Sequence, residues 1–283
     1  MSLAGLGAVC IWHDLLPEAR DDFHQWHNRE HMPERVGIPG FRRGRRYVAI
    51  AGTPEYFNLY EADSAEVLGG LDYLNRLNAP TEWTRRVVPS FRNVSRSICR
   101  VVYTDGVGQG AFVLTQRFDV GERDRAQVVK TLRQRLLPPL CESKGVAGVH
   151  LCLADESISK VETAEKKARA DATQVPTWII LIEGNSAADV GAAGAALSLE
   201  LQPLLGADAG QILTSVYQLE FSRCKTPWSA GSPACCHAHQ RNNAALRLGG
   251  RSTEHSEVPG IVEPALHRTA CRRGLRSVPS RSG

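Results

Sequence analysis

No run of about 18 apolar residues occurs in the chain, so no membrane-spanning helix is expected. A dominant charge sign is also missing: 34 Lys and Arg stand against 30 Asp and Glu in 283 residues. The small excess belongs to one end. Residues 225–283 hold nine Lys and Arg and three Asp and Glu, which leaves 1–224 slightly acidic. A near-neutral body excludes the broad basic footprint of a nucleic-acid binder. The eight cysteines form no paired framework across the body, where they stand at Cys10, Cys99, Cys141, Cys152 and Cys224. The apolar start, Leu3 to Trp12, has neither a basic flank nor an A-x-A-like cleavage site, and reads as a strand rather than a signal peptide. Reduced, mostly buried thiols and a cytoplasmic location are therefore expected. A nucleotide loop is missing too. Gly106-x-Gly108-x-Gly110 precedes a strand, not a helix, and reads as a linker. No cofactor is expected.

What is present is a globular composition, 42% hydrophobic and 23% charged, and an internal repeat. Gly7-Ala8-Val9-Cys10-Ile11 matches Gly110-Ala111-Phe112-Val113-Leu114 at an offset of 103. Pro54-Glu55-Tyr56-Phe57-Asn58-Leu59-Tyr60-Glu61 matches Pro176-Thr177-Trp178-Ile179-Ile180-Leu181-Ile182-Glu183 at an offset of 122. The difference is assigned to a charged insert over about 155–173, read as a loop or short exposed helix.

Within the first half, alternation predicts strands at 7–14, 41–50, 56–62 and 94–103. Helices are expected over 18–35, after Pro17, and from the Ser64 cap to about Leu77. Gly37, Pro39 and Gly40 end the first helix. This βαββαβ order is the ferredoxin-like unit. The second half repeats it, with strands near 110–119, 147–154, 175–184 and 210–222, and helices near 123–142 and 187–204. The expected organisation is 1–105 and 106–223 as two α+β ferredoxin-like halves, packed sheet to sheet as an intramolecular barrel. Residues 224–283 follow as a disordered basic tail. Within that tail, Cys235-Cys236-His237-Ala238-His239 is read as chance rather than a metal motif.

Three elements carry a family resemblance: Trp26-His27-x3-His31-Met32-Pro33, Pro39-Gly40-Phe41, and the strand Tyr56-Phe57-x-Leu59-Tyr60-Glu61. The first half resembles EthD-like proteins of the dimeric α/β-barrel superfamily, here in tandem. That superfamily spans monooxygenases, lactone isomerases, polyketide cyclases and haem proteins, so the resemblance implies a fold and not one reaction.

Three constellations could carry chemistry. His24, His27 and His31 fall on one stripe of the first helix. His27 and His31 are candidate acid–base groups, since imidazole titrates near neutrality; the resemblance favours His31, in the H-x-P element. His27-x-x-Glu30-His31 also fits a short metalloprotease pattern, which the fold discounts, so no metal is expected. Phe41-Arg42-Arg43-Gly44-Arg45-Arg46-Tyr47 puts Arg43, Arg45 and Tyr47 on one strand face. These arginines either line a solvated edge or point into the barrel and hold a substrate carboxylate or enolate. Tyr56, Asn58 and Tyr60 share a face, taken to look into the barrel, with Trp12 beside them. At the repeat offsets His27 becomes Lys130, His31 becomes Gln134, and Tyr56, Asn58 and Tyr60 become Trp178, Ile180 and Ile182. The second sheet is thus read as an apolar lid over a single site.

The expected function is cofactor-free isomerase, cyclase or monooxygenase-like chemistry on an oxygenated metabolite, aromatic or ketide-derived ones included. The alternatives are a non-catalytic or stress-associated ligand binder and a haem-binding member. The expected partner is a small molecule, with no nucleic acid and no membrane, in a monomer holding an internal pseudo-dimer or in a homodimer.

Overall fold

A computed structural model describes residues 2–170, 172–205 and 211–226 of the chain. Eight strands, all paired antiparallel, close into one barrel in the order β1-β3-β2-β8-β5-β7-β6-β4. They are β1 (Gly7–Leu15), β2 (Phe41–Ala51), β3 (Tyr56–Ala62), β4 (Phe91–Gly106), β5 (Phe112–Phe118), β6 (Val146–Ala154), β7 (Trp178–Gly184) and β8 (Leu213–Cys224). The first four run β4-β1-β3-β2 and the second four β6-β7-β5-β8. Each set is therefore a ferredoxin-like sheet, and the β2–β8 and β4–β6 pairs zip the two sheets together. This is the dimeric α/β barrel folded from one chain. Closure removes the sheet edges that an isolated half would expose.

Helices cover the outside. On the first half, α1 (Arg20–Trp26), a π-helical turn (His27–His31) and α2 (Met32–Gly37) form one rod; α3 (Ala65–Gly69), α4 (Leu71–Asn78) and α5 (Glu82–Val87) follow. On the second half, α6 (Arg125–Thr131), a π-helical turn (Leu132–Leu136) and α7 (Leu137–Cys141) form the matching rod. Two short helices, α8 (Glu156–Ser159) and α9 (Ala164–Lys167), precede the long α10 (Ala187–Leu205). Gly40, at φ +81°, turns the chain from α2 into β2. Gly44 lets α2 approach the sheet: a Cβ there would stand 2.9 Å from Met32 Cγ and 3.1 Å from Tyr60 Cδ1.

With helices outside and a second sheet inside, both faces of a strand are buried. All seven residues of β3 are buried. The barrel interior holds Ala8, Cys10, Trp12, Tyr47, Phe57, Leu59, Cys99, Cys152, Ile179, Leu181 and Tyr217. Beneath the first-half helices lie Val9, Met32, Val36, Phe41, Tyr60 and Leu68.

Four expectations are corrected here. Tyr56, Asn58 and Tyr60 face the helices, not the barrel, while Phe57 and Leu59 point inward. Trp12 does not join them; it stacks on Phe57 inside the barrel, with ring centroids 4.9 Å apart. The 155–173 insert is not simply an exposed loop, since Ser159, Thr163 and Glu165 are buried and Glu165 pairs with Arg35. Finally, β8 runs on to Cys224, paired with Arg43, so residue 224 belongs to the barrel. Residues 227–283, with the Cys-Cys-His-Ala-His run, lie outside the described residues.

Candidate functional site

The two π-helical turns fix how the halves correspond. A π turn widens the helix by one residue and often marks a functional site. Here His27–His31 matches Leu132–Leu136 at an offset of 105. The strands agree. Arg45 faces Leu59 across β2 and β3, as His150 faces Leu181 across β6 and β7. The offset of 103 is thereby corrected: His27 and His31 correspond to the buried Leu132 and Leu136, not to Lys130 and Gln134. By the same pairings Arg46 corresponds to Leu151, Asn58 to Ile180, Tyr60 to Ile182, and His13 to Phe118. Every one of those second-half residues sits in one apolar core. The first half has a connected polar cluster in the same place.

His27 is at its centre. Its Nδ1 lies 3.0 Å from Arg46 Nη1 and its Nε2 lies 3.0 Å from Tyr60 Oη. A guanidinium only donates, so Nδ1 must accept and the proton sits on Nε2, donated to Tyr60. The ring is neutral, and both nitrogens are engaged, which leaves neither for a metal. Burial, then the nearby His31 and Arg46, keeps the His27 pKa well below its usual value. The Tyr60 hydroxyl, accepting from His27, keeps its own proton to donate. Burial raises its pKa. Arg46 is held in turn by Glu220 at 2.5 Å and Asn28 at 2.9 Å, and its guanidinium lies over Phe23 and Phe221 at 5.4 and 5.6 Å.

His31 lies one π turn on. Its ring centroid is 4.2 Å from Trp26, 5.6 Å from His27 and 6.3 Å from Tyr60. Its buried Nδ1 has no hydrogen-bond partner among the described residues. Burial lowers its pKa well below the usual value, and Arg35, Arg169 and Arg76 push the same way. Arg169 and Glu165 come from the insert, 3.9 Å apart, so the second half contributes to this environment. A third ring, His13, donates from Nδ1 to the Asp14 carbonyl at 3.2 Å and accepts from Asn58 Nδ2 at 3.0 Å. It is also neutral, with burial lowering its pKa to about 3. Tyr56 Oη lies 3.2 Å from His24 Nε2.

Arg43, Arg45 and Tyr47 form a separate group inside the barrel. The solvated-edge reading is corrected, because Arg43 and Arg45 are 3% and 1% exposed. Their guanidiniums are already occupied. Arg43 makes two bonds to Glu61, at 2.8 and 2.6 Å. Arg45 makes two to Glu183, at 2.8 and 2.9 Å, and a third to Glu61 at 3.0 Å. His150 Nε2 lies 3.3 Å from Glu183 Oε1. Burial alone would raise the Glu183 carboxyl, but Arg45 and His150 hold it down at about 2. Two cations balance two anions, so these arginines are staples between the sheets. Sequence reasoning missed Glu61 and Glu183, although the repeat aligned them with each other. It also missed Arg46, whose strand parity alone placed it opposite Arg45.

The candidate set thus divides. His27, His31, Tyr56, Asn58 and Tyr60 come together under the helices, with His13 and Arg46. Arg43, Arg45, Tyr47 and Trp12 lie in the barrel interior.

No family model matches the chain, and no curated protein matches it. Solved structures do. An anthrone oxidase-like protein aligns at 11% identity over 81% of this chain and 96% of its own, with a TM-score of 0.54. A candidate monooxygenase from Fusobacterium nucleatum aligns at 8% identity over 79% and 96%, with a TM-score of 0.49. Another, from Lactobacillus acidophilus, aligns at 8% identity over 78% and 97%, with a TM-score of 0.48. At 11% identity the first establishes a shared fold.

Proposed function

We propose that the chain is a small-molecule enzyme that moves a proton on an oxygenated metabolite, with its reacting groups in the first-half helix–sheet layer. One observation carries this reading. The second half builds the same layer from Leu132, Leu136, Leu151, Ile180 and Ile182, so the fold does not need the histidines, tyrosine and arginine of the first. Buried polar groups cost stability unless fully partnered, and His31 Nδ1 is not.

The chemistry follows from the protonation states. His31 is neutral at pH 7 and can take a proton from a carbon beside a carbonyl. The electron pair then moves onto the carbonyl oxygen. Tyr60, its acceptor side filled by His27, donates its O–H to that oxygen, and Arg46 adds positive charge behind His27. Returning the proton at another carbon completes an isomerisation, and attack of the enolate carbon on a second carbonyl of the same substrate closes a ring; both use only the side chains and the substrate. An oxygenase-like outcome needs dioxygen as a second substrate, both as oxidant and as the source of the added oxygen. The superfamily resemblance, EthD-like and arranged as a tandem repeat, favours the same substrate class.

The test is a turnover screen with lactones, β-diketones and polyphenols. On whichever compound reacts, His31→Ala is expected to lower kcat about 10²–10⁴-fold and Tyr60→Phe about 10²–10³-fold. Full activity in His31→Ala removes the assignment.

Small-ligand binding without chemistry is the second reading. The close packing of Trp26 on His31, 4.2 Å between rings, favours it, because little room is left for a reacting carbon. Binding that survives with no turnover in the screen would select it. A haem-binding reading would use the unpartnered His31 nitrogen as the iron ligand; a Soret band in the purified protein selects it.

A further inference from the structure

The barrel mouth away from the Glu61–Glu183 layer carries a further buried cation, Arg117 at the end of β5. It is 6% exposed. Its guanidinium lies 4.7 Å over the Trp12 ring, and Nη2 donates to the Thr53 carbonyl at 3.3 Å. Its buried Nε has no partner. Arg43, Arg45 and Arg46 each meet a carboxylate within 3.0 Å; Arg117 forms no ion pair among the described residues. Burial lowers its pKa, with the Tyr217 phenol pulling the other way. Stacking on an indole recovers only part of the cost of burying an unpaired guanidinium.

Among the described residues, this cation borders open space. Arg117 lines a cavity of about 200 Å³ and an adjoining one of about 500 Å³. Ser95, Gln174 and Gln211 line both, and each brings a polar side chain. The place of Gln174 is fixed by backbone bonds to β4: its N–H donates to the Val94 carbonyl at 2.9 Å, and its carbonyl accepts from Arg96 at 2.8 Å. One wall is apolar, made by Phe118, Val175, Pro176 and Leu213. One carboxylate, Asp119, also lines the smaller cavity. Its Oδ1 accepts from the Thr177 backbone at 3.3 Å and from the Thr177 hydroxyl.

We infer that this mouth is a binding site for a small organic carboxylate, with Arg117 as its cation and the Phe118–Leu213 wall under its apolar body. Charge selects the class. A monoanion balances one guanidinium, whereas a phosphate dianion would leave a negative charge facing Asp119. The site uses none of the residues placed in the proton-transfer cluster, so it stands or falls apart from that reading.

Benzoate and inorganic phosphate, each titrated into the full chain at matched low ionic strength, test the inference. The readouts are the Arg117 Nε–H resonance and the melting temperature. Benzoate is expected to saturate, to shift that resonance and to raise Tm, with phosphate at least about tenfold weaker. Arg117→Met is expected to weaken benzoate at least about tenfold and, without ligand, to melt no lower than the parent. Arg117→Lys should keep part of the affinity, with the charge but not the fork. Equal responses to the two anions would reduce the site to general ion screening and overturn the proposal. Undiminished benzoate binding in Arg117→Met would place the ligand elsewhere. If Arg117→Met fails to fold, the wild-type resonance decides: a shift with benzoate supports the site, and none makes Arg117 structural.

Discussion

Glu183→Gln is expected to destabilise the protein by about 3–5 kcal/mol, the usual cost of breaking a buried ion pair from one side. Glu183 is 1% exposed and receives both Nη groups of Arg45. Removing its charge leaves Arg43 and Arg45 sharing Glu61, one cation in excess inside the barrel. The Gln isostere keeps the shape, so lost packing cannot explain the result. At about 2–4 °C per kcal/mol for a unit of this size, Tm should fall by about 10 °C. A compensated change behaves differently. Arg45→Met with Glu183→Leu removes the pair and leaves Arg43 with Glu61, and should come within about 1–2 kcal/mol of the parent or exceed it. Urea unfolding of the two variants checks both. A Glu183→Gln loss under about 1 kcal/mol would mean the network is hydrated and not a staple.

Mild acid is expected to weaken the fold well before carboxylates protonate. His13 has a folded pKa of about 3 against about 6.5 unfolded. Between those values the unfolded chain binds more protons, so stability falls as pH falls. The contribution is complete above about pH 6.5 and shrinks by about 1.4 kcal/mol per pH unit below it, about 2 kcal/mol lost by pH 5. His27 and His31 are lowered in the same direction by burial, so their losses add. Below about pH 4.5 Glu183 joins, because its folded pKa is also depressed. Urea midpoints at pH 7.5, 6 and 5 check this, and His13→Phe, the residue found at the matching Phe118, should flatten the slope by one histidine. A midpoint independent of pH from 7.5 to 5 would show that these rings are not buried neutral.

The strands, their order along the chain and the two-half barrel are legible in alternation and in the Pro54/Pro176 match; the Gly7/Gly110 match is two residues out of register, since Gly7 faces Ala62 as Phe112 faces Gly184. The facing of the strands is not legible. Turning Tyr56, Asn58 and Tyr60 into the barrel requires Phe57 and Leu59 to be the core-facing pair under the helices, but this sheet has a core on each side. Alternation distinguishes wet from dry, and β3 is dry throughout, so parity alone could not choose. What chose was partnership. Tyr60 and Asn58 found His27 and His13 under the helices, while Glu61 found Arg43 and Arg45 inside. The arginines misled for a related reason. Their carboxylate partners lie on other strands, one of them 138 residues away. Glu61 and Glu183 were nonetheless in view as the last matched pair of the repeat, a signal that acids at equal positions could answer the arginine strand. The first strand and the first rod both correspond at an offset of 105, two more than the Gly7/Gly110 match gives, and that difference hides the pairing of His31 with Leu136.

His31→Leu tests most directly whether the first-half polar layer exists for chemistry. Leucine is what the second half places at this position. Thermal unfolding at pH 7.5, where the native ring is neutral, should show His31→Leu melting at or above the parent, since an unpartnered buried nitrogen is replaced by an apolar group. A fall of several degrees would contradict this. His31 would then be a structural residue, and the polar layer a core in its own right.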